Sequence, residues 1–275
     1  ASTAPLYVDP ITGQKLSSAT TDVSNAAVVP SVRRWLHYDN LRQRYGGLAK
    51  LEFDDHVMFK AALTFADFYH SNDEDRQANS VTPNTAVTAA TNQYTYITGV
   101  TPAGGTVTSG NYAQDDDSHY FQKRGIKYAD FHGELNPGNH IAADLGVNYA
   151  IATYHQDATT SVFRIPAGTN LAYTYTLTPG RFPQFNFAAP SYVFNPANYN
   201  FYDYQIAPDD QKEKALTGRA NLRMNMAGED RGFGAAMGLY ARFVDRRYDR
   251  NVRDYAPVAG AAPLSTFAAP QRYTP

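Results

Sequence analysis

Alternation of apolar and polar residues with a period of two is the feature that most constrains how this chain can fold. In Tyr45–Phe53 the odd positions are apolar, whereas Lys50 and Glu52 occupy even positions. The pattern stops at a short acidic segment and resumes in Val57–Ala66. Successive side chains of a β-strand point to opposite faces. The sequence therefore predicts two strands joined by a short turn, with one apolar face and one polar face.

Two further pairs of alternating segments follow along the chain. Turn-forming residues separate the strands of each pair, at Asn136–Asn139 in the first and at Gly228–Arg231 in the second. The third strand of the chain alternates poorly in its first half, which predicts a bulge near Gly125. The sequence thus predicts six long strands in three hairpins, which occupy residues 44–71, 120–155 and 213–249.

The predicted connections alternate strictly between short and long. Turns within hairpins span a few residues, but the links at 72–119 and 156–212 far exceed the usual loop of about 4–6 residues. Segments 1–43 and 250–275 are also predicted as loops. The strands, at roughly 12–16 residues, exceed the usual length of about 5–6. The predicted fold class is therefore all-β: a segment of an antiparallel transmembrane β-barrel, with short periplasmic turns and long extracellular loops.

The composition is compatible with membrane-spanning strands and argues against other classes of protein. With 24 basic and 26 acidic residues the chain has no strong net charge, so nucleic acid is not a predicted partner. No segment approaches the roughly 20 apolar residues that a membrane-spanning helix needs. The 21 tyrosines and 15 phenylalanines suit interfaces between lipid and water at least as well as a soluble core.

Sequence motifs for catalysis, metal binding and cofactor binding are missing. There is no Gly-x-Ser-x-Gly motif, no glycine-rich phosphate loop and no cysteine. The nearest pair of histidines, His132 and His140, straddles a turn without further ligands around it. The acidic clusters at 73–75 and 115–117 are interpreted as solvated loop charge. The chain is predicted not to be an enzyme and to hold neither a metal nor a cofactor.

Six strands are too few for a barrel of the single-chain bacterial type, whose smallest members have eight. With three complete hairpins, both ends of the chain fall on the side of the long loops. Residues 1–275 are therefore expected to form part of one transmembrane barrel domain whose remaining strands lie elsewhere.

Two stretches resemble a known family. RYGGLAKLEFDDHVMFKAALTFADFYHSNDEDR combines two alternating strands, an acidic turn, and a loop that opens in aromatic and acidic residues. FYDYQIAPDDQKEKALTGRANLRMNMAGEDRGFGAAMGLYARFVDRRYDR repeats this arrangement with a Gly/Asp turn and a basic, aromatic end. Both resemble barrel strands of TonB-dependent outer-membrane transporters. The resemblance covers about half of the chain, mainly 44–76, 120–155 and 203–250.

The resemblance implies a function as well as a fold. Members of the family have a barrel of about 22 strands plugged by a globular domain, and they take up scarce nutrients across the outer membrane of Gram-negative bacteria. It implies as partners the membrane lipid and lipopolysaccharide, the remainder of the barrel with its plug, and the TonB energy-coupling protein, through a segment outside this chain. The ligand remains open among siderophore, cobalamin, saccharide and peptide.

Two sets of residues are candidates for function. The first consists of polar residues expected to face the barrel lumen: Lys50, Glu52, Lys60, Asp144, Asn148, Arg219, Asn221, Arg223 and Arg242. The second consists of aromatic residues among amides and prolines in the loop at 156–212, expected either to contact a small-molecule ligand or to pack the loop: Phe182, Phe185, Phe187, Tyr192, Phe194, Tyr199, Phe201, Tyr202 and Tyr204.

Two other functions stay open on the sequence alone. A passive porin or scaffolding barrel would have the same strands without energy coupling. A soluble β-sandwich, as in an adhesin or a structural surface protein, would bury the face of Leu216, Ala220 and Leu222 against a second sheet.

Overall fold

The structure, a computed structural model, describes residues 5–17, 25–137, 140–225 and 233–256. Strands dominate it. In chain order they are β1 Leu6–Val8, β2 Lys15–Leu16, β3 Ala27–Val29, β4 Arg33–Asp54, β5 Phe59–Pro83, β6 Val87–Thr88, β7 Gln93–Tyr94, β8 Ile97–Thr101, β9 Gly104–Val107, β10 Gly110–Leu135, β11 Ile141–Gly168, β12 Tyr173–Thr176, β13 Gln184–Phe187, β14 Asn200–Ile206, β15 Asp209–Met224, β16 Ala235–Arg250 and β17 Arg253–Tyr255. The short helices are α1 Pro190–Val193 and the 3₁₀ turns Thr169–Leu171 and Pro196–Asn198.

The six long strands form one antiparallel sheet. Their order is β16-β15-β11-β10-β5-β4, so each strand follows or precedes its neighbour along the chain. The predicted all-β, antiparallel architecture and the three hairpins are confirmed. Within the described residues the edge strands β4 and β16 do not pair with each other, so the sheet is open and no closed barrel is formed. No helix in the same part of the chain is long and apolar enough to cross a membrane.

The long strands continue well into segments that were predicted as loops. Strands β4, β5, β10 and β11 have 22, 25, 26 and 28 residues, and β15 and β16 have 16 each. The loop assignments at 1–43, 72–119 and 156–212 therefore need correction. The physical reason is that these extensions combine polar runs, such as 73–75 and 115–117, with scattered apolar residues, so they pair through their backbones without a regular apolar–polar alternation.

Two other predictions have different outcomes. The prediction of a bulge near Gly125 is wrong, because the pairing of β10 with both neighbours runs without a break from Tyr112 to Leu135. A Cβ at Gly125 would lie 2.9 Å from the Thr153 hydroxyl, so a larger residue there would require the Thr153 side chain to shift. The turn at Gly228–Arg231, part of the turn at Asn136–Asn139, and most of the segment 250–275 lie outside the described residues.

Side-chain hydrogen bonds fix the turn between β4 and β5. The Asp55 carboxylate accepts the backbone N–H groups of Val57, Met58 and Phe59, each at 2.9 Å. These bonds, led by that of Phe59, hold the pKa of Asp55 below its usual value. His56 at the tip of the turn adopts a positive φ of 59°.

A second layer of short strands packs on the far ends of the long strands, away from the short turns. Strands β8, β9, β12 and β13 form one small sheet, and β1, β2 and β3 form another. Val81, Ala113 and Ile165 of the long strands are buried against this layer. The regions predicted as long loops thus contain ordered small sheets and share one hydrophobic core with the main sheet.

One face of the main sheet carries a continuous apolar band near the short turns, and we call this side the apolar face. A single row of directly paired residues crosses all six strands: Ala49, Phe65, Ala129, Tyr149, Leu216 and Phe243. The next row toward the far ends contains Asp67 and Lys127, whose side chains form an ion pair at 3.2 Å. The band thus ends at the same height on neighbouring strands, because the strands are paired in register.

Candidate functional site

Four of the nine predicted aromatic ligand residues line a pocket at the far end of the sheet. Its volume is about 830 Å³. The four are Phe182, Phe185, Phe187 and Phe194. The prediction of ligand contact thus has a geometric basis at these positions, within the size range of about 300–1,000 Å³ that is usual for small-molecule sites.

The small sheet holds the phenylalanines of the pocket in place. Tyr173 of β12 pairs with Phe187 of β13, and their ring centroids are 5.5 Å apart with an edge-on geometry. Phe185 contacts the same tyrosine ring at 5.6 Å. Phe194, which follows α1, meets Phe187 edge-on at 5.7 Å. Because Tyr173 is only 2% exposed, the pocket wall rests on the hydrophobic core.

The opposite wall is formed by Arg33 and Trp35 of β4, which the sequence analysis did not identify. The Arg33 guanidinium lies 4.2 Å from the centroid of the Trp35 ring and is 5% exposed. It also lies within 6 Å of the Phe187 and Phe194 rings, at 5.6 and 5.7 Å. The only tryptophan of the chain, beside two arginines, is the signal that could have found this wall.

A chain of hydrogen bonds fixes Arg33 and one further predicted residue. The Arg33 guanidinium donates to the side-chain oxygen of Asn79 at 2.7 Å, and the Asn79 amide donates to the Tyr199 hydroxyl at 3.0 Å. The Tyr199 hydroxyl donates in turn to the carbonyl of Val193 at 2.8 Å. Burial raises the pKa of Tyr199 to about 12, so this phenol stays protonated and can donate. Tyr199 therefore supports the pocket from behind and does not line it.

The remaining predicted aromatic residues pack outside the pocket. Phe201 meets Phe163 edge-on at 5.6 Å, and Tyr192 packs against the core. Tyr202 is half exposed and lies under the Arg164 guanidinium, at 3.5 Å from its ring centroid. Tyr204 contacts Tyr255 with centroids 6.1 Å apart. For these residues the alternative of loop packing describes the observed contacts.

The pocket lies on the apolar side of the main sheet. Arg33 pairs with Val81, and Trp35 pairs with Asn79. In β4 and β5 the odd-numbered residues, which include Ala49 and Phe65 of the apolar band, all point to the same face as Arg33 and Trp35. Side chains of the same parity on paired strands share one face. A molecule bound in this pocket is therefore on the opposite side of the sheet from the predicted lumen-facing residues.

All nine predicted lumen-facing residues lie together on the other face, which we call the polar face. They occupy the rows of paired residues that lie between the rows of the apolar band. Examples are the pair of Asn221 with Asp144 and the pair of Asn148 with Thr217. The Asn221 amide donates to Asp144 at 2.6 Å. The face is not uniformly polar, since Leu48 and Ile126 are exposed on it. The nine residues are Lys50, Glu52, Lys60, Asp144, Asn148, Arg219, Asn221, Arg223 and Arg242.

Close polar contacts connect several of these lumen-facing candidates. Lys60 pairs with Asp54 at 3.1 Å, and Lys50 pairs with Glu52. Arg219 and Asn148 line a smaller pocket of about 220 Å³ with His132. The polar face can thus offer both charges and amides to a passing solute.

Two histidine–carboxylate groups lie on the apolar side beyond the apolar band. His119 contacts Asp75 at 2.9 Å and Asp73 at 3.6 Å. His155 contacts Asp210 at 2.7 Å and Asp157 at 3.1 Å, and these hydrogen bonds, that of Asp210 first, raise the pKa of His155. No cluster among the described residues has the arrangement of a metal site.

Comparisons with family profiles and with curated proteins give no match for this chain.

Proposed function

We propose that the chain forms part of the wall of a transmembrane β-barrel in a bacterial outer membrane, and that this barrel is a TonB-dependent transporter for a scarce nutrient. The single observation that carries the first part is the exposed apolar band across six paired strands. Soluble monomers rarely expose contiguous apolar patches larger than a few hundred Å².

The height of the band fits a lipid bilayer. Up to the row of Asp67 and Lys127 the apolar positions span Ala49–Phe53 in β4 and Ile141–Tyr149 in β11, which is 5 and 9 residues, and the row of Tyr45 and Tyr69 extends the span in β4 to 9. A tilted transmembrane strand needs about 9–11 residues to cross the hydrocarbon core. The residues are open to the surroundings, with Leu51 67% and Leu239 74% exposed. Lipid contact would remove these side chains from water.

Aromatic residues at the upper edge of the band support the same assignment. The rings of Tyr45 and Tyr69 stack with centroids 4.7 Å apart, one row beyond the Asp67–Lys127 ion pair. Outer-membrane barrels carry such aromatic girdles where the lipid meets water. In this orientation the short turns are periplasmic and the far ends are extracellular.

Transport as the activity rests on the polar face and on the family resemblance of 44–76 and 203–250. Charged and amide side chains along the lumen would pass a polar solute that lipid excludes. Further strands and a plug would complete the transporter, which would be coupled to the TonB protein and surrounded by membrane lipid and lipopolysaccharide. The solute remains open among siderophore, cobalamin, saccharide and peptide.

The soluble sandwich has less support than a barrel. It needs a second sheet over Leu216 and Leu222, and none of the described strands covers them, since both are 43% exposed. A passive porin keeps the same wall and differs in its energy requirement.

Single-cysteine labelling tests the membrane assignment. Because the chain has no cysteine, Leu51→Cys and Lys50→Cys give neighbouring labels on opposite faces. In vesicles, a fluorophore at residue 51 should be quenched by lipids that carry a quencher, and one at residue 50 by iodide in the water. Equal access of iodide to both labels would reject the wall assignment.

Uptake in cells separates the two barrel functions. Removing the proton gradient of the inner membrane should stop uptake of the nutrient by a TonB-dependent transporter, whereas a porin would continue to pass it.

A further inference from the structure

We infer that the pocket between Trp35 and β13 binds a sugar ring that carries an anionic group. The binding chemistry rests on the pocket alone and does not depend on the proposed transport. Only the source of the sugar depends on the proposed membrane orientation.

The walls of the pocket match the faces of a sugar ring. Five aromatic rings line a volume of about 830 Å³, which accommodates one to three sugar units. The C–H groups on the face of a pyranose are weakly positive and pack on the negative face of an aromatic ring. The rings are those of Trp35, Phe182, Phe185, Phe187 and Phe194.

The lining also contains amides that match the hydroxyl edge of a sugar. On β13 the exposed residues Gln184 and Asn186 alternate with the half-buried Phe185 and Phe187. A side-chain amide offers both donors and an acceptor, which a hydroxyl group can satisfy in either sense. The Gln184 amide already donates to the Phe182 carbonyl at 3.2 Å, so its oxygen and the Asn186 amide are the groups that this lining offers to a ring with polar edges.

Charge complementarity favours an anionic substituent. The lining includes Arg33 and Arg34 and no acidic residue. Arg33 is held in place by Asn79 at 2.7 Å and by the Trp35 ring at 4.2 Å, so its guanidinium needs little further ordering to meet an anion. Hydrogen bonds from a guanidinium to a carboxylate or phosphate are among the strongest in proteins. Arg34 also belongs to the lining, although its pairing with Ser80 directs its side chain toward the opposite face of the sheet.

The place of the pocket suggests two sources for such a sugar. At about 3.3 Å per residue, Arg33 lies about 40 Å along β4 from Tyr45, or roughly 28 Å above the band for a tilt of about 45°. On the outer side of a barrel wall this is the level of the lipopolysaccharide sugars, which carry phosphate groups. A dissolved sugar acid presents the same chemistry. The geometry of the pocket accommodates either.

The fluorescence of Trp35 provides the test, because it is the only tryptophan in the chain. The purified full chain in detergent micelles is titrated with glucuronate, with glucose as the neutral match, and with phosphorylated core oligosaccharide from lipopolysaccharide. We expect a saturable change with anionic sugars and about tenfold weaker binding of glucose. Tighter binding of the oligosaccharide than of glucuronate identifies the lipid-borne source, and the reverse order identifies a dissolved sugar acid.

Two variants connect the signal with the pocket. Phe182→Ala should weaken glucuronate binding about fivefold by removing a ring from the rim. Its matched control is Phe233→Ala, since Phe182 is 90% and Phe233 is 80% exposed but Phe233 lies outside the pocket. Arg33→Gln should abolish the preference for glucuronate over glucose. Because Arg33 is packed, circular dichroism checks its fold, and loss of the wild-type preference in high salt provides a second measure of the charge effect.

Three results would overturn the inference: no saturable change with any anionic sugar, equal affinity for glucose and glucuronate, or equal weakening by Phe182→Ala and Phe233→Ala. Because no bilayer takes part in this titration, failure of the cysteine-labelling experiment would leave its outcome unaffected.

Discussion

The Asn79 side chain donates a hydrogen bond to the Tyr199 hydroxyl at 3.0 Å, across a separation of 120 residues. Asn79 belongs to a long strand, and Tyr199 belongs to the segment that carries the aromatic pocket. Both residues are buried, at 3% exposure each. This bond therefore fixes the pocket segment to the main sheet in a place where water cannot substitute for either partner.

Removing the Tyr199 hydroxyl should loosen this attachment. Tyr199→Phe leaves the Asn79 amide and the Val193 carbonyl without their partner, at a cost of about 1–3 kcal/mol in the free energy of unfolding. Urea unfolding in micelles, followed by limited proteolysis of the pocket segment, measures it. The control is Tyr202→Phe, at a half-exposed ring. Equal losses in both variants would contradict the role of the buried bond.

A charge placed on the apolar face should oppose membrane insertion. Val147→Arg lies in the band, and a basic residue near the middle of a bilayer costs about 2–4 kcal/mol in barrel proteins. Asn148→Arg, one residue further on the polar face, should cost little. Urea-dependent folding into lipid vesicles gives both free energies. If Asn148→Arg proves as costly as Val147→Arg, the two faces have been assigned the wrong way round.

The turn at Asp55 should weaken in acid. Its folded-state pKa is lowered by three backbone N–H donors, so the stabilisation is present above the ordinary pKa of 3.8 and is lost as the pH falls through the folded value. Asp55→Ala should lower the urea midpoint at pH 7 and much less at pH 2. Asp55→Asn keeps one acceptor oxygen, so its urea midpoint at pH 7 should lie between those of the wild type and Asp55→Ala. If Asp55→Ala lowers the urea midpoint equally at pH 7 and pH 2, the ionised carboxylate is not the source of the stabilisation.

His155 should stabilise the fold in the opposite pH range. Its pKa is raised by hydrogen bonds to Asp210 and Asp157. The stabilisation is fully present below the ordinary value of 6.5 and disappears as the pH rises through the folded-state pKa. His155→Gln should therefore lower the unfolding midpoint at pH 5.5 but not at pH 9. His37→Gln, for which no carboxylate contact is described, serves as the comparison, and a larger His155 effect at pH 9 would reverse the sign of this argument.

The sequence predicts the part of the sheet where one face is apolar. Leu216, Leu222 and Phe243 were assigned to one face by their spacing, and the pairing of β15 with β11 and β16 puts them on one side. The extensions were missed because residues such as Asp115 and Asp117 have polar neighbours on both faces. Their strand structure depends on backbone pairing with β5 and β11, which no local pattern encodes.

Only one of the two walls of the pocket was predicted from the sequence. Phe185 and Phe187 stand out in an aromatic-rich segment, but their partners Arg33 and Trp35 are about 150 residues away in a segment interpreted as loop. Only the pairing of β4 with β5 brings the two walls together, since it places Arg33 beside Val81 and the core. Tyr199 is the opposite case. Its aromatic ring suggested ligand contact, but its hydroxyl forms buried hydrogen bonds with Asn79 and Val193.

The open sheet also has a consequence for handling the protein. Strand β16 pairs with β15 alone among the described strands, so one edge along Ala235–Arg250 presents unpaired backbone donors and acceptors. Such an edge acts as a template for a further strand. The stretch Ala235–Phe243 has one charge, Arg242, to discourage this. Without a neighbouring strand to protect it, this edge is where the sheet would nucleate ordered aggregates.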